Sequence, residues 1–250
     1  MTHAHHTPDT TALLSAFQVG KLYGLRPVLR SVSLQVQRGE FVALLGANGA
    51  GKTTLLRVLA TLMRPDSGAL MICGNDALAQ PERARAYIGL VSHASLTYAD
   101  LSAYENLMFY GRLYGIQQAV LAVRIEEALR RMNLWTRRGD LARTFSRGML
   151  QRLTIARALL HNPPVLLLDE PFTGLDQTSA ANLSNLLREL VSQGHAVIMA
   201  THELGRGLSG VTRAVILKGG QVSEELYEDL TPDRLAAHMR DAPSHHASCD

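Results

Sequence analysis

Eight consecutive residues between two apolar segments have the types and spacing of a phosphate-binding loop. They match the pattern G-x-x-x-x-G-K-[ST] and are Gly46, Ala47, Asn48, Gly49, Ala50, Gly51, Lys52 and Thr53. The glycines allow backbone N–H groups to face a β-phosphate, and a following helix would present its positive end to the same anion. Lys52 adds a charge between the β- and γ-phosphates, while the Thr53 hydroxyl is placed to bind Mg²⁺. Thr54 follows directly and is also expected to contact the nucleotide.

Two adjacent carboxylates, Asp169 and Glu170, follow the apolar run from Val165 to Leu168. Such a run is typical of a strand covered on both faces, and ligands bind at the carboxyl ends of these strands in open α/β sheets. Asp169 is expected to hold Mg²⁺ directly or through water, because this hard ion prefers oxygen. Glu170 is then positioned to orient and partly deprotonate an attacking water. Two acids that merely cap a strand end are the competing interpretation.

The candidate phosphate loop stands where an α/β sheet would position it. The run Phe41 to Leu45 predicts a buried strand, and leucines at helical spacing predict a helix from Thr53 to Met63. Two apolar stretches between Leu13 and Val36 flank a turn at Tyr23 and Gly24, which predicts strand, loop, strand. Strand, loop and helix in this order are the expected setting of a phosphate site.

The middle of the chain has helical periodicity. Amphipathic helices are predicted over Tyr104 to Tyr114, Val120 to Met132 and Met149 to Leu160. They indicate a helical subdomain at about residues 95–160, inserted into the α/β core. The core pattern then returns as strand, helix, strand and hairpin: Val165 to Leu168, Ser179 to Gln193, Ala196 to Ala200, and Val215 to Leu217 turning at Gly219 and Gly220 into Gln221 to Ser223.

The composition favours a globular protein with no membrane span of its own. Of 250 residues, 46% are apolar, and the formal net charge is only +3. The apolar fraction is ample for a buried core, and so small a charge excess does not predict nucleic-acid binding. No apolar run approaches the roughly 18 residues of a membrane span, and the polar, His-rich start does not resemble a signal peptide. Cys73 and Cys249 predict neither a disulfide nor a metal site, and fit a reducing cytosol.

A further run stands at the start of a predicted helix and resembles the signature of one family: Phe145, Ser146, Arg147, Gly148, Met149, Leu150, Gln151 and Arg152. With the phosphate loop and the paired carboxylates, it makes the chain from Leu13 to Tyr227 resemble the nucleotide-binding subunit of ABC transporters. The resemblance implies a RecA-like P-loop NTPase core with a mixed sheet, an N-terminal antiparallel β subdomain and the inserted α-helical subdomain. In the family this signature, usually Leu-Ser-Gly-Gly-Gln, contacts the γ-phosphate bound to the opposite subunit. Ser146 and Gly148 fit that contact, whereas Arg147 and Met149 depart from the usual Gly and Gln.

The resemblance also implies roles for residues that spacing alone would not select. Thr173, Gly174, Leu175 and Asp176 match the family's dimer-interface loop. His202 matches the switch histidine that reaches the γ-phosphate, and is grouped with Glu170 and Lys52 as catalytic. Tyr23 resembles the aromatic residue that stacks on adenine. His93 stands where most members have a glutamine near Mg²⁺, and is expected to act through water or a hydrogen bond because imidazole is a poor ligand for this ion.

The histidine at position 93 resembles one subfamily, the ATPase subunit of the haem exporter in cytochrome c maturation. The runs Glu105 to Tyr110, Phe145 to Met149 and Pro171 to Asp176 resemble it too. An ATPase of another exporter, for a drug, lipid or polysaccharide, is the alternative. A soluble ABC-type ATPase of translation or DNA repair is disfavoured, because the chain has neither a second motif set nor a coiled-coil insertion. A scaffold without hydrolysis is disfavoured because the candidate catalytic residues are retained.

The resemblance places one nucleotide-binding domain at residues 13–230, between a disordered tail at 1–12 and a polar tail at 231–250. One phosphate loop and one signature per chain cannot close a two-sided site, so a head-to-tail dimer with an identical or related ATPase subunit is implied. The expected ligands are ATP and Mg²⁺. Transmembrane permease subunits are the other expected partners, and they alone would hold the protein at the cytoplasmic face of the inner membrane.

Overall fold

Two β-sheets and a helical insertion form the fold in the computed structural model, which describes residues 12–92, 96–202, 207–228 and 230–240. In chain order the elements are β1 (Leu14–Tyr23), β2 (Arg26–Val36), β3 (Phe41–Leu45), α1 (Lys52–Leu59), β4 (Ser67–Ile72), β5 (Asn75–Asp76), α2 (Pro81–Arg85), β6 (Ile88–Val91), α3 (Ala103–Leu113), α4 (Gln118–Arg131), α5 (Arg147–Leu159), β7 (Val165–Asp169), α6 (Gln177–Ser192), β8 (Ala196–Thr201), β9 (Arg213–Lys218), β10 (Gln221–Leu226) and α7 (Pro232–Arg240).

The larger sheet brings the candidate catalytic strands side by side. Its order is β10-β9-β3-β8-β7-β6, and only the β9–β10 hairpin is antiparallel. The strands β3, β7 and β8 are buried along their whole length, as the continuous apolar runs predict. Leu45 is the register partner of Thr201, and Asp169 that of Ala200. The residues that follow these strands therefore emerge at one edge of the sheet.

The smaller sheet is antiparallel and is formed by strands from the N-terminal part of the chain, as predicted. Its strand order is β2-β1-β4-β5. Its buried face shares one apolar cluster with α1 and the larger sheet, and this cluster includes Leu14, Val32, Leu55 and Ile72. The mixed core and the antiparallel subdomain expected from the sequence are thus confirmed, and the phosphate-loop helix is packed between them.

The helices α3, α4 and α5 form the predicted insertion around a second apolar cluster. Leu107, Leu121, Ile125 and Leu153 are fully buried there, at the i, i+4 spacing within α4 that an amphipathic helix requires. The same cluster includes Leu166 and Leu168 of β7, so the insertion packs directly on the strand that ends at Asp169. Among the described residues, no helix is both long and apolar enough to cross a bilayer.

Several elements differ from the sequence-based predictions. The helix after the phosphate loop ends at Leu59 and not at Met63, because Thr61 has a φ of 57° and Leu62 turns out into solvent. The strands β4, β5 and β6 and the short α2 were not predicted, since each is brief and β4 lacks clear alternation. The segment assigned to a polar tail contains α7, whose Leu235 is buried.

Candidate functional site

The loop between β3 and α1 is shaped by glycines in conformations that other residues rarely adopt. Gly49 and Gly51 have φ values of 80° and 105°, in the left-handed region. A Cβ on Gly46 would lie 2.4 Å from the carbonyl oxygen of Leu217 in β9. Any side chain at position 46 would therefore push the loop away from the sheet. Gly51 is also the N-cap of α1, with no side chain covering the helix end, which leaves the amides there available to an anion.

Lys52 is held inside this loop. Its Nζ donates to the carbonyl oxygens of Gly46 at 2.7 Å and Ala47 at 3.2 Å, and the residue is 8% exposed. Burial lowers the pKa of Lys52, and the nearby carboxylates of Glu170 and Asp169 oppose that shift. The ammonium group is thus fixed at the loop, where a phosphate would meet a positioned charge.

Asp169 and Thr53 meet where β7 ends behind α1. The Thr53 hydroxyl donates to Asp169 Oδ1 at 3.3 Å, and Asp169 is buried. Both groups offer oxygen, the donor that Mg²⁺ prefers, and nucleotide phosphates in the loop would supply further oxygens. The pair therefore fits a Mg²⁺ ion shared between protein and nucleotide.

Glu170 is held in place by its neighbours at the end of β8. Thr201 Oγ1 donates to one carboxylate oxygen at 3.1 Å, and the backbone N–H of His202 donates to the other at 3.0 Å. His202 Nδ1 lies 2.6 Å from the same second oxygen. Glu170 also has a φ of 52°, an uncommon value for a residue with a side chain. The unusual backbone conformation and the three contacts hold the Glu170 carboxylate in one orientation, which is typical of a functional group.

A cleft of about 660 Å³ lies between the antiparallel sheet and the edge of the larger sheet, and Lys52, Thr53 and Glu170 all line it. Of the residues predicted from the sequence, it is lined by Tyr23, Asn48, Gly49, Gly51, Lys52, Thr53, Thr54, Glu170 and His202. Tyr23 is half-exposed there, with its hydroxyl 3.4 Å from Met63 Sδ. An exposed aromatic ring at one end and a phosphate loop at the other suit a nucleotide in extended form.

Other predicted residues do not line the cleft. Gly46, Ala47 and Ala50 shape the loop from behind, and Asp169 faces a smaller adjoining cavity with Thr53. Ser146 and Gly148, expected to contact a γ-phosphate, are also absent from its lining. His93 lies outside the described residues.

The signature segment is instead an exposed helix start. The Ser146 side chain accepts a hydrogen bond from Met149 N–H at 3.3 Å and so caps α5. A Cβ on Gly148 would lie 3.1 Å from the carbonyl oxygen of Gly174, in the loop after Glu170. In α5, Gln151 Nε2 donates to the carbonyl oxygen of Pro171 at 3.0 Å. The segment and the helix it starts therefore contact the loop after β7 of the same chain, while Ser146 and Arg147 are exposed.

Six cleft residues were not predicted from the sequence as site residues. Arg26, Pro27, Val28 and Arg30 line the cleft from β2, and Gly219 and Gly220 line it from the β9–β10 turn. Gly220 N–H donates to the carbonyl oxygen of Ala50 at 3.1 Å, and this contact braces the phosphate loop. The glycine turn was predicted from the sequence. Its contact with the phosphate loop was not, because it depends on the pairing of β3 with β9, two strands that are distant in sequence.

Comparison with known proteins connects this geometry with one family. The profile described as "ABC transporter" matches residues 29–173. Nod factor export ATP-binding protein I of Cupriavidus metallidurans is 41% identical over 77% of this chain and 63% of its own length. The ABC transporter ATP-binding protein NatA of Bacillus subtilis is 35% identical over 80% of this chain and 84% of its own length. Daunorubicin resistance ATP-binding protein DrrA3 of Streptomyces coeruleorubidus is 35% identical over 89% of this chain and 72% of its own.

Solved structures give the same result. An ATP-binding subunit of an ABC transporter superposes with a TM-score of 0.82 at 32% identity, covering 92% of this chain and 95% of that one. The dimeric ATP-binding cassette MJ0796, bound to ADP and phosphate after hydrolysis, superposes with a TM-score of 0.80 at 27% identity, covering 86% and 99%. The chain spans slightly less than two thirds of the Nod factor relative and more of the other two relatives.

Proposed function

Because the chain belongs to the ABC transporter family, as an ATP-hydrolysing subunit that binds ATP, we propose that it drives export through separate membrane subunits. In this proposal it works as a head-to-tail dimer with a second ATPase subunit, identical or related. The dimer would sit at the cytoplasmic face of the inner membrane, where its permease partners hold it.

The main support for a dimer is that the phosphate loop and the signature segment do not meet within one chain. Lys52, Glu170 and His202 share the cleft, while Ser146 and Gly148 do not line it. The Ser146 hydroxyl and the amides at the start of α5 face outward and can reach a phosphate on another chain. A second protomer, turned head to tail, would place its signature over the cleft of the first, so two nucleotides would be enclosed between two chains.

The chemistry follows from groups already positioned in the cleft. Lys52 and the amides before α1 would bind the β- and γ-phosphates and stabilise charge that develops on them. Bound Mg²⁺, held by Thr53 and Asp169, would neutralise the same oxygens. Glu170 would accept a proton from the attacking water, and Thr201 and His202 fix the carboxylate for that step. His202 itself would reach the γ-phosphate, as a switch that responds to its presence.

The Glu170→Gln variant tests this mechanism. It should bind MgATP as the parent does but release phosphate at least about 100-fold more slowly, because a general base contributes on the order of that factor. With MgATP it should also remain a closed dimer in size-exclusion chromatography with light scattering. Glu82→Gln, on the exposed α2, is the matched control and should hydrolyse normally. Turnover at the parent rate by Glu170→Gln would remove Glu170 from this role.

An exposed aromatic surface supports docking to a permease. Tyr98, Phe109 and Tyr110 contact one another with ring centroids 4.9–6.1 Å apart, and Tyr98 and Phe109 are 48% and 37% exposed. Two exposed leucines add apolar area: Leu96 in the segment before α3, and Leu113 at the end of α3. An apolar patch of this kind on the helical insertion marks an interaction site. We assign it to a cytoplasmic segment of the membrane subunits.

Affinity purification from detergent-solubilised membranes tests the docking surface. The tagged parent should retain integral membrane proteins, and Phe109→Glu should lose them while still hydrolysing ATP. Val123→Glu, at an exposed apolar position of α4, is the control and should retain them. Equal retention by both variants would place the docking surface elsewhere.

The proposed cargo is haem, and this finer proposal rests on the subfamily resemblance of the runs at Phe145 and Pro171 and of His93. The relatives named above are called proteins of Nod factor export and daunorubicin resistance, so another exported molecule is the second candidate. Identification of the co-purified membrane subunits separates the two. Permease subunits of a haem exporter would support the first candidate, and those of a drug, lipid or polysaccharide exporter would overturn it.

A further inference from the structure

The β2 side of the nucleotide cleft carries two arginines, Arg26 and Arg30, to which the mechanism above gives no role. Both are exposed, and among the described residues neither guanidinium forms a hydrogen bond or an ion pair with the protein. By contrast, Arg213 in β9 is buried between Glu40 and Glu225. Two cations that face one cleft without protein partners leave donor capacity for an anion.

A local irregularity turns β2 toward the cleft. A register shift between β1 and β2 inserts an extra residue, Val28, into β2. Side chains of a regular strand alternate between its faces, but Arg26, Pro27 and Val28 all line the cleft in succession. Further along β2, the Arg30 N–H donates to the carbonyl oxygen of Gly220 at 2.7 Å. Arg30 therefore projects from backbone that is bonded to the β9–β10 turn, and that turn in turn contacts the phosphate loop at Ala50.

The position of these arginines matches one part of a nucleotide. Arg26 is the register partner of Tyr23, so it lies near the end of the cleft assigned to the base. A Cβ on Gly51 would lie 3.0 Å from the carbonyl oxygen of Val28, so β2 passes directly beside the start of α1. In the proposed function the terminal phosphates would lie against the loop and that helix start. The β2 side would then be left for the α-phosphate and the ribose.

We propose that Arg26 and Arg30 bind the α-phosphate and ribose end of the nucleotide, and so set the affinity for ATP and ADP alike. The inference rests on the proposed function, because it requires a nucleotide in this cleft. A guanidinium group suits the contact, since its planar fork donates two hydrogen bonds to phosphate oxygens. Lys52 already donates to Gly46 and Ala47 within the loop, so the arginines supply charge where Lys52 does not reach.

Equilibrium binding and steady-state hydrolysis, measured with MgATP and MgADP, test the inference. For Arg26→Gln and Arg30→Gln we expect the Kd for each nucleotide to rise roughly three- to tenfold, which is the value of a charge-assisted contact reduced by solvent exposure. The KM for ATP should rise by a similar factor while kcat is unchanged, because the contact is the same in ground and transition states. Arg26→Lys should recover part of the loss.

The matched control is Arg64→Gln, an exposed arginine near the antiparallel sheet that does not line the cleft. Its nucleotide affinity should equal that of the parent. An equal loss of affinity in Arg64→Gln would show that the effect comes from the overall charge of the protein. A loss of affinity for ATP but not for ADP would show that the arginines contact the γ-phosphate. Either result, or parent affinity in both cleft variants, overturns this inference alone. Failure of the parent to bind any adenine nucleotide would overturn the proposed function with it.

Discussion

The nucleotide cleft and the signature segment differ in how their polar groups are used within one chain. In the cleft, Lys52, Glu170 and His202 come from three separate elements, and hydrogen bonds hold them around one cavity. In the signature segment, Ser146 caps its own helix, and Gly148 packs against the loop after Glu170. The cleft residues are therefore brought together within one chain, whereas Ser146 stays at the surface, where the proposed dimer would bring it to the nucleotide of a partner.

Packing explains this difference. The cleft sits at the ends of buried parallel strands, whose registers fix Asp169 and Glu170 beside Thr201. The signature segment begins a helix of the insertion, and its Phe145 and the later Leu153 lie in the apolar cluster, whereas Ser146 and Arg147 at the helix start are exposed. Groups at strand ends inherit the rigidity of the sheet, whereas groups at an exposed helix start remain open to a partner.

The largest effect on hydrolysis should come from substitutions that disable either the phosphate loop or the signature segment. Lys52→Ala and Ser146→Arg should each abolish hydrolysis as homodimers, because each breaks both composite sites. Mixed dimers of the two variants retain one intact site, so equimolar mixing should restore about a quarter of the parent rate per protomer. Phosphate release after mixing is the measurement.

A protomer that carries both substitutions supplies the control for this complementation. Mixed with the parent it should form dimers with no intact site, so it should lower the parent rate. Failure of the two single variants to complement each other would contradict a site shared between chains.

The next effect concerns the cleft alone. His202→Ala removes the Nδ1 contact at 2.6 Å to Glu170 and leaves the carboxylate with Thr201 and the backbone N–H of residue 202. We expect hydrolysis to fall roughly 10- to 100-fold with little change in the Kd for MgATP, because the lost contact acts on the reacting water and phosphate. A rise in Kd that accounts for the whole loss would show that His202 serves binding.

Two serines that cap helices allow a sharper comparison. Ser146 caps α5 and Ser102 caps α3 in a capping box with Glu105. Ser146→Ala and Ser102→Ala should each lower the free energy of unfolding by about 1 kcal/mol, the usual value of an N-cap. Only Ser146→Ala should also slow hydrolysis, because its hydroxyl is proposed to meet phosphate on the partner chain. Chemical denaturation and phosphate release measure the two effects, and equal hydrolysis by both variants would reduce Ser146 to a cap.

The smallest effect on hydrolysis is expected at His161, which lies outside the cleft and is expected to make stability depend on pH. His161 follows α5, stacks on Tyr114 and lies 3.1 Å from the carbonyl oxygen of Ile88. Burial lowers the pKa of His161 to about 4. Since the unfolded chain binds this proton more readily, the contribution of His161 is full above the unfolded pKa of about 6.5 and is lost as pH falls toward 4.

Melting temperatures measured from about pH 7.5 to about pH 4.5 test this contribution. The parent should lose stability more steeply than His161→Gln over this interval. Parallel curves for the two proteins would show that another group carries the acid sensitivity. Hydrolysis at neutral pH serves as the control, and it should be equal in both proteins if the substituted chain folds.

Local sequence was sufficient to predict the phosphate loop, the strand that delivers Asp169 and Glu170, and the three helices of the insertion. Each is specified by a run of neighbouring residues: glycines with a lysine, a continuous apolar segment, or apolar residues at helical spacing. The strands β4, β5 and β6 were missed because they are brief and their burial depends on neighbours distant in sequence. The end of α1 was misplaced because Leu62 is apolar but packs on nothing in the core.

The types and spacing of neighbouring residues therefore define the chemistry that the chain can offer to phosphates, and both are local properties. Which of these residues share a cleft depends on strand order and register, and so follows only from the folded structure. It joined His202 and Thr201 to Glu170 and kept Ser146 apart. It also brought Arg26 and Arg30 to the cleft on a strand whose register against β1 shifts at Val28 and again between Leu29 and Val32, irregularities that no local pattern encodes.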